Sequence, residues 1–274
     1  MRRIRTRSIA DSRLVIPPPA ADDAWMTELN AARPVAFITG AARRIGAAIA
    51  QRLHRDGYDL ALHYQHSDEA MRALVRELEA ARANSAFALR ADLSQSAELP
   101  GLIDAVVQRY GRLDALVNNA SAFSPTPLGG IADSDWEAQF AVNARAPLLL
   151  AQAAAPHLRR SGGAIVNLVD VYAEHPLRTH SVYSMSKAAL VAATRSLALE
   201  LAPEVRVNAI APGAILWPDQ GKSEAAKAAL LARTPLARTG QPEEIAAAAA
   251  WLLSGASFTT GHVLPVDGGR GLEV

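Results

Sequence analysis

Seven short apolar runs, at residues 35–39, 59–64, 86–90, 113–117, 163–169, 205–210 and 262–266, alternate along this chain with stretches of helical periodicity. Strands separated by helices pair in parallel, because each helix carries the chain back to the same end of the sheet. The pattern predicts a single doubly wound, Rossmann-like α/β domain over residues 33–274, with a parallel seven-stranded sheet and helices on both faces. The 274 residues, half of them hydrophobic, suffice for one large core and require no second domain.

Residues 1–32 differ from the rest: Arg2, Arg3, Arg5 and Arg7 precede Pro17–Pro19 and a polar stretch to Asn30. A flexible N-terminal tail is expected. The run from Ile9 to Ile16 is broken by Asp11, Ser12 and Arg13, so it lacks the apolar core of a signal peptide. Met26 is an alternative start, or the basic tail could dock on a partner. A formal net charge of +1 provides no field for nucleic acid or a membrane surface. No segment has the roughly 18 uncharged apolar residues of a membrane span. The absence of cysteine excludes disulfides and thiolate chemistry and is compatible with a cytoplasmic protein. The seven histidines show no His-Glu-x-x-His spacing, so no catalytic metal is expected.

The first strand runs into Gly40-Ala-Ala-Arg43-Arg44-Ile45-Gly46 and then a helical pattern from Ala47 to Leu53. Strand, glycine turn and helix in this order offer backbone N–H groups to a pyrophosphate at the helix start. Read alone, the glycines could equally be turn glycines. At the end of the second strand, His63 and Tyr64 are followed by His66 and Ser67, with no acidic side chain where one would bind the ribose hydroxyls of NAD. With Arg43 and Arg44 nearby, this donor set suits a 2′-phosphate and hence NADPH. Asp68 and Glu69 come later and fit the start of the next helix. A merely solvated strand end is the alternative for His63 and His66.

Tyr183 and Lys187 stand four apart, on one face if the segment is helical, and Asp170 lies thirteen residues upstream. The three make a candidate proton-delivery site. Lys187 would favour the phenolate and bring Tyr183 toward neutrality, where a phenol is a useful general acid. Chance also produces Tyr-x-x-x-Lys on amphipathic helices, so the pair gains its weight from the nucleotide loop.

In their order these segments resemble the short-chain dehydrogenase/reductase family, from about Pro34 to the C-terminus. The resemblance extends to Asp92-Leu93 (facing the adenine), Asn118-Asn119-Ala120-Ser121 (lining the cofactor cleft) and Pro212-Gly213 (packing the nicotinamide). Asn143 matches the asparagine that in the family holds a water between the catalytic lysine and solvent. Two departures are similar to the pteridine reductase subgroup: Asp170 where most relatives carry serine, and Arg44 where they carry the middle glycine of the loop. Asn118-Asn-Ala-Ser-Ala-Phe123 and Asn167-Leu-Val-Asp170 are similar to that subgroup as well. By this resemblance Phe123 stacks on a pterin opposite the nicotinamide, and Arg44 reaches both cofactor phosphates and substrate. An arginine commonly stands in the subgroup where His66 does here. Homotetramers are implied, built on the small-residue helices containing Ala141–Ala155 and Ser186–Leu201.

The residues support that implication in their own chemistry. Reduction of a C=N bond sends hydride to carbon and a proton to nitrogen, and a carboxyl group at Asp170 can serve such a nitrogen. Asp170 could instead only cap the loop that follows, as Asp often does, and Phe123 could close an apolar cluster with Pro125 and Pro127. Ser121, Tyr172 and Trp217 complete the candidate pterin pocket, and residues 216–234 are expected to form either a helical lid or an ordinary surface helix. The expected activity is NADPH-dependent reduction of a dihydropterin or dihydrofolate. The alternatives are a carbonyl reductase of the same family, acting on 3-oxoacyl or sugar substrates, and a nucleotide-binding protein without catalysis.

Overall fold

The computed structural model describes residues 33–216 and 223–272. The expectations placed on residues 1–32, on Trp217 and on the first part of the lid segment lie outside the described residues. Seven strands form one all-parallel sheet: β1 (Val35–Ile38), β2 (Asp59–Tyr64), β3 (Ala86–Arg90), β4 (Ala115–Asn118), β5 (Ala164–Leu168), β6 (Arg206–Pro212) and β7 (Val263–Val266), in spatial order β3-β2-β1-β4-β5-β6-β7. The helices are α1 (Arg44–Arg55), α2 (Asp68–Ala81), α3 (Leu99–Tyr110), α4 (Asp133–Phe140), α5 (Ala146–Ser161), α6 (Ser181–Leu201), α7 (Glu224–Ala232) and α8 (Pro242–Ala250).

Side-chain alternation along each strand divides the core between the two faces. On β1, Ala36 and Ile38 join a cluster with Ile49 and Leu53 of α1 and Ile245 and Ala249 of α8. Val35 and Phe37 point the other way, into a cluster with Ile103 of α3, Leu150 and Leu158 of α5 and Leu197 of α6. All four β1 residues are buried, which is why the strand reads as an unbroken apolar run. Each fully buried side chain the size of Phe37 or Ile38 contributes about 1.5–3 kcal/mol.

Strand order reverses between β1 and β4, and there the loops leaving the two strands meet. Gly40 adopts φ +61°, and a Cβ on it would lie 2.9 Å from Ala120 Cα. Gly46, at the start of α1, sits still closer: its Cβ would be 2.3 Å from Gly40 O and 2.7 Å from Asn119 Nδ2. Between α4 and α5 the chain makes a π-helical turn, Ala141–Arg145, that carries Asn143 fully buried into the centre of the molecule. Single π turns of this kind often mark functional positions.

The substitution Gly46→Ala is expected to lower unfolding stability by about 1–3 kcal/mol, because backbone atoms must yield to the new methyl group. Gly101→Ala, inside α3 with nothing within 4 Å of the added carbon, is expected to raise it by about 0.5–1 kcal/mol. Urea titration of the two variants beside the parent checks both signs.

Candidate active site

The crevice at the strand-order reversal is a cleft of about 490 Å³ lined on one side by Gly40, Arg43, Arg44, Ile45 and Gly46. Its other walls come from His63 and Tyr64 at the end of β2, His66 and Ser67 after it, Leu93 after β3, and Asn119, Ala120 and Ser121 after β4. No side chain caps the start of α1, and its first turn holds no acidic residue, so the positive end of the helix opens on the cleft. A dinucleotide pyrophosphate fits this donor set. Asp92, Pro212 and Gly213 stand at neighbouring strand ends but not in that lining. The Asp92 carboxylate accepts from Ser94 N at 2.9 Å, and chiefly this bond holds it below the ordinary carboxylate range.

The cleft walls are pinned by hydrogen bonds across long sequence distances. Thr39 Oγ1 accepts from the backbone N–H groups of Asn119 and Ala120 at 2.9 and 3.0 Å, and Asn119 Nδ2 donates to Thr39 O and Gly40 O, both at 2.9 Å. Thr39 was not singled out in the sequence. Its placement before the glycine turn is a signal only once the facing Asn119 is known.

His63 requires a correction. Its ring is buried, Gly40 N donates to Nδ1 at 3.2 Å, and Nε2 lies 3.2 Å from Ala91 O. A neutral ring that accepts at Nδ1 and donates at Nε2 satisfies both contacts, and burial lowers its pKa in agreement. His63 therefore latches the nucleotide loop and has no donor left for a phosphate. Asp68 is also engaged, with Tyr64 OH at 3.2 Å and Arg90 at 3.8 Å.

Arg44 occupies the left-handed region at φ +52°, which explains why glycine is the common residue there. An arginine in that conformation is strained by about 1–3 kcal/mol. In return its guanidinium reaches across the cleft, where Nη2 donates to Ile215 O at 3.1 Å.

Asp170, Tyr183 and Lys187 come together at the carboxyl end of β5. Tyr183 OH donates to Asp170 Oδ2 at 2.7 Å, while Asp170 Oδ1 accepts from Tyr172 N at 2.9 Å. One carboxylate thus both caps the turn Val171–Ala173 and holds the phenol, so the two readings of Asp170 are not exclusive. Lys187 Nζ donates to Leu168 O at 2.8 Å and lies 5.9 Å from the centre of the Tyr183 ring.

This geometry overturns the expected acidification of Tyr183. Burial first, and then the adjacent Asp170 charge, push the phenol well above its ordinary value, and Lys187 does not reverse this. Burial also raises the Asp170 carboxyl, against the Tyr172 and Tyr183 hydrogen bonds and the charges of Lys187 and Arg270. Lys187 is pulled down by burial to about 8, opposed by Asp170.

The side chain of Asn143 is engaged by protein on every side. Its Nδ2 donates to Ala122 O and Ser186 Oγ at 2.8 and 2.9 Å, and its Oδ1 accepts from Ala122 N and Ser121 Oγ at 2.8 and 3.1 Å. All four bonding positions of the amide are filled by protein, leaving none for a water. Asn143 ties the wall carrying Ser121 to α6 one residue before Lys187. Phe123 is 55% exposed beside Tyr183, edge to face at 4.6 Å, with His180 stacked on it at 4.6 Å. Tyr172 OH accepts from Arg270 Nη2 at 3.0 Å. No group of three or more His, Asp or Glu among the described residues could hold a metal, and no described helix is long and apolar enough to cross a membrane.

A family model described as enoyl-(acyl carrier protein) reductase, of the short-chain dehydrogenase/reductase family, matches residues 40–270. The chain belongs to the short-chain dehydrogenase/reductase family. It is 39% identical to an uncharacterized oxidoreductase of Methylorubrum extorquens, over 86% of this chain and 96% of that one. It is 38% identical to pteridine reductase 1 of Leishmania tarentolae, over 87% and 96%. It is 36% identical to a 3-oxoacyl-acyl-carrier-protein reductase of Staphylococcus aureus, over 85% and 96%. Members of the family are oxidoreductases that use nicotinamide dinucleotides and act on small molecules.

The buried ammonium gives a pH signature. In the folded chain Lys187 is charged below about pH 8, whereas in the unfolded chain it stays charged up to its ordinary 10.5. Between these values the unfolded state binds more protons, so this residue makes stability rise with pH across the window. Lys187→Met is expected to be more stable than the parent near neutral pH, by at most about 3 kcal/mol, since it removes the burial cost of the charge. The advantage should shrink from pH 8 to 10.5, and urea unfolding at several pH values measures it. A pH-independent difference would refute this account.

Proposed function

We propose that this oxidoreductase is an NADPH-dependent pteridine reductase that delivers hydride and a proton across a C=N bond of a dihydropterin. The observation that carries the reading is the 2.7 Å hydrogen bond between Tyr183 OH and a buried Asp170 carboxyl whose affinity for protons is raised. A ketone needs donors around one oxygen, whereas a pterin presents ring nitrogens. A carboxyl group whose affinity for a proton is raised by burial is suited to pass one toward such a nitrogen.

A reduced nicotinamide bound in the cleft would supply the hydride. Tyr183, too weak an acid by itself, hands on a proton that Asp170 replenishes along their shared hydrogen bond. Lys187 stays buried beneath them, supporting the Asp170 charge once the proton has left. Asn143 holds the Ser121–Ala122 wall against α6, and Phe123 offers its ring to the flat substrate at the mouth of the site. An offset aromatic contact there contributes about 0.5–1.5 kcal/mol beyond area burial. Arg44 spans from the cofactor loop to the segment after β6 and borders both ligands. Tyr172 borders the substrate side, and Trp217 is assigned there on the sequence alone.

The preference for NADPH rests on Arg43, Arg44, His66 and Ser67 in the cleft wall, and on Asp68 being engaged by Tyr64 and Arg90. The relative named pteridine reductase and those named ketoacyl reductases are similarly close, at 36–39% identity, and it is the residues of the site that favour the pterin. Exposed Leu148 on α5 and Met185 and Leu199 on α6 support assembly through those helices, as a homotetramer.

NADPH oxidation is expected with dihydrobiopterin and not with a 3-oxoacyl thioester, and NADH should serve less well. Tyr183→Phe is expected to lower kcat/KM at least about 100-fold. Asp170→Ser should lose pterin turnover on a similar scale while retaining cofactor affinity. Exclusive turnover of the thioester, or full pterin activity in Asp170→Ser, would overturn the reading.

A further inference from the structure

The turn that follows Asp170 borders a second cavity, of about 560 Å³, from which the proposed reduction uses only Tyr172. Its lining draws arginines from three separate segments: Arg178 from the loop before α6, Arg233 from the residue after α7, and Arg270 from the turn after β7. Glu174 is the one carboxylate in that lining. Among the described residues neither Arg178 nor Arg233 forms an ion pair. Arg270 spends Nη2 on Tyr172 OH, while its Nη1 is buried with no hydrogen-bond partner. A charged donor cut off from both water and acceptors is costly, and arginines brought together without matching carboxylates repel one another. Both costs fall if an anion occupies the cavity, and the planar guanidinium fork fits a carboxylate.

The position of the cavity says what bears the anion. In a 7,8-dihydropterin the side chain is attached to the carbon of the C=N bond that accepts hydride. A long side chain must therefore leave the site next to the reacting atoms. Val171 and Tyr172, which line the cavity, directly follow Asp170, and Asp170 caps their turn. Resting on the pteridine reductase reading, we infer that Arg178, Arg233 and Arg270 form a subsite for a carboxylate-ended side chain, which makes the preferred substrate a folate-type pterin.

The test compares dihydrofolate with dihydrobiopterin, whose side chain is uncharged, in the parent and in Arg178→Gln, Arg233→Gln and the double variant. Both arginines are exposed, so the folded protein is retained. The parent should favour dihydrofolate. Each single variant should lose about ten-fold in kcat/KM on dihydrofolate relative to dihydrobiopterin, mainly through KM, as expected for a lost charge-assisted hydrogen bond. Added salt should raise KM for dihydrofolate in the parent and do so less in the double variant. If both pterins are turned over and their ratio is the same in parent and double variant, the subsite is wrong while the pterin reading stands. If neither pterin is turned over and the thioester is, both fall.

Discussion

The pairing of β1 with β4 is the constraint on which the remaining arrangement depends. These strands are 78 or 79 residues apart in sequence, yet Ile38 lies opposite Val117 and their loops leave the sheet side by side. A parallel sheet puts every loop that follows a strand on one edge, and the reversal of strand order at this pair forces the two helical layers to diverge. The crevice is what remains between them. Its walls can come close enough to bind a dinucleotide only because Gly40 and Gly46 lack side chains. They stay in place because Asn119 and Ala120 donate four hydrogen bonds across the gap to Thr39 and Gly40.

At β5 the same edge carries a different physics. Asp170, Tyr183 and Lys187 are all taken out of water, and burial opposes the charged form of each. Lys187 at 5.9 Å from the ring is too distant to dominate a phenol that touches a carboxyl at 2.7 Å. The consequence is a pair, Asp170 and Tyr183, that holds a proton tightly, with the lysine as a nearby counter-charge. Such a pair suits delivery to a nitrogen more than the stabilisation of an alkoxide.

Legibility in the sequence follows the range of the interaction. All seven strands are recognisable as apolar runs, and β1, β4 and β5, buried on both faces, have little polar content. The displaced edges occur where burial and pairing separate: Leu113 is fully buried yet precedes β4, which begins at Ala115. Tyr183 and Lys187 are legible because helix geometry alone brings i and i+4 together. The environment of Tyr183 is not, because desolvation depends on packing from β5, α6 and the turn after Asp170 at once. The bonding of His63 and of the Asn143 side chain is hidden from the sequence in the same way. Each looks like a free polar group in the sequence, and each is consumed by partners 21 to 43 residues away.

Arg44 carries the argument furthest, since it stands where local preference and observed backbone disagree. Glycine would take φ +52° without strain, so an arginine there is retained at a cost of about 1–3 kcal/mol. Its one hydrogen bond among the described residues, to Ile215 O beyond β6, contributes about 0.5–1.5 kcal/mol to folding and does not offset the upper part of that range. The side chain bridges the nucleotide loop and the segment beyond Pro212, the two walls between which cofactor and substrate would lie. An anion at either wall would convert a strained residue into a favourable one. Strain at Arg44 and the unpartnered Nη1 of Arg270 are alike in that each keeps positive charge beside a cavity at a local cost.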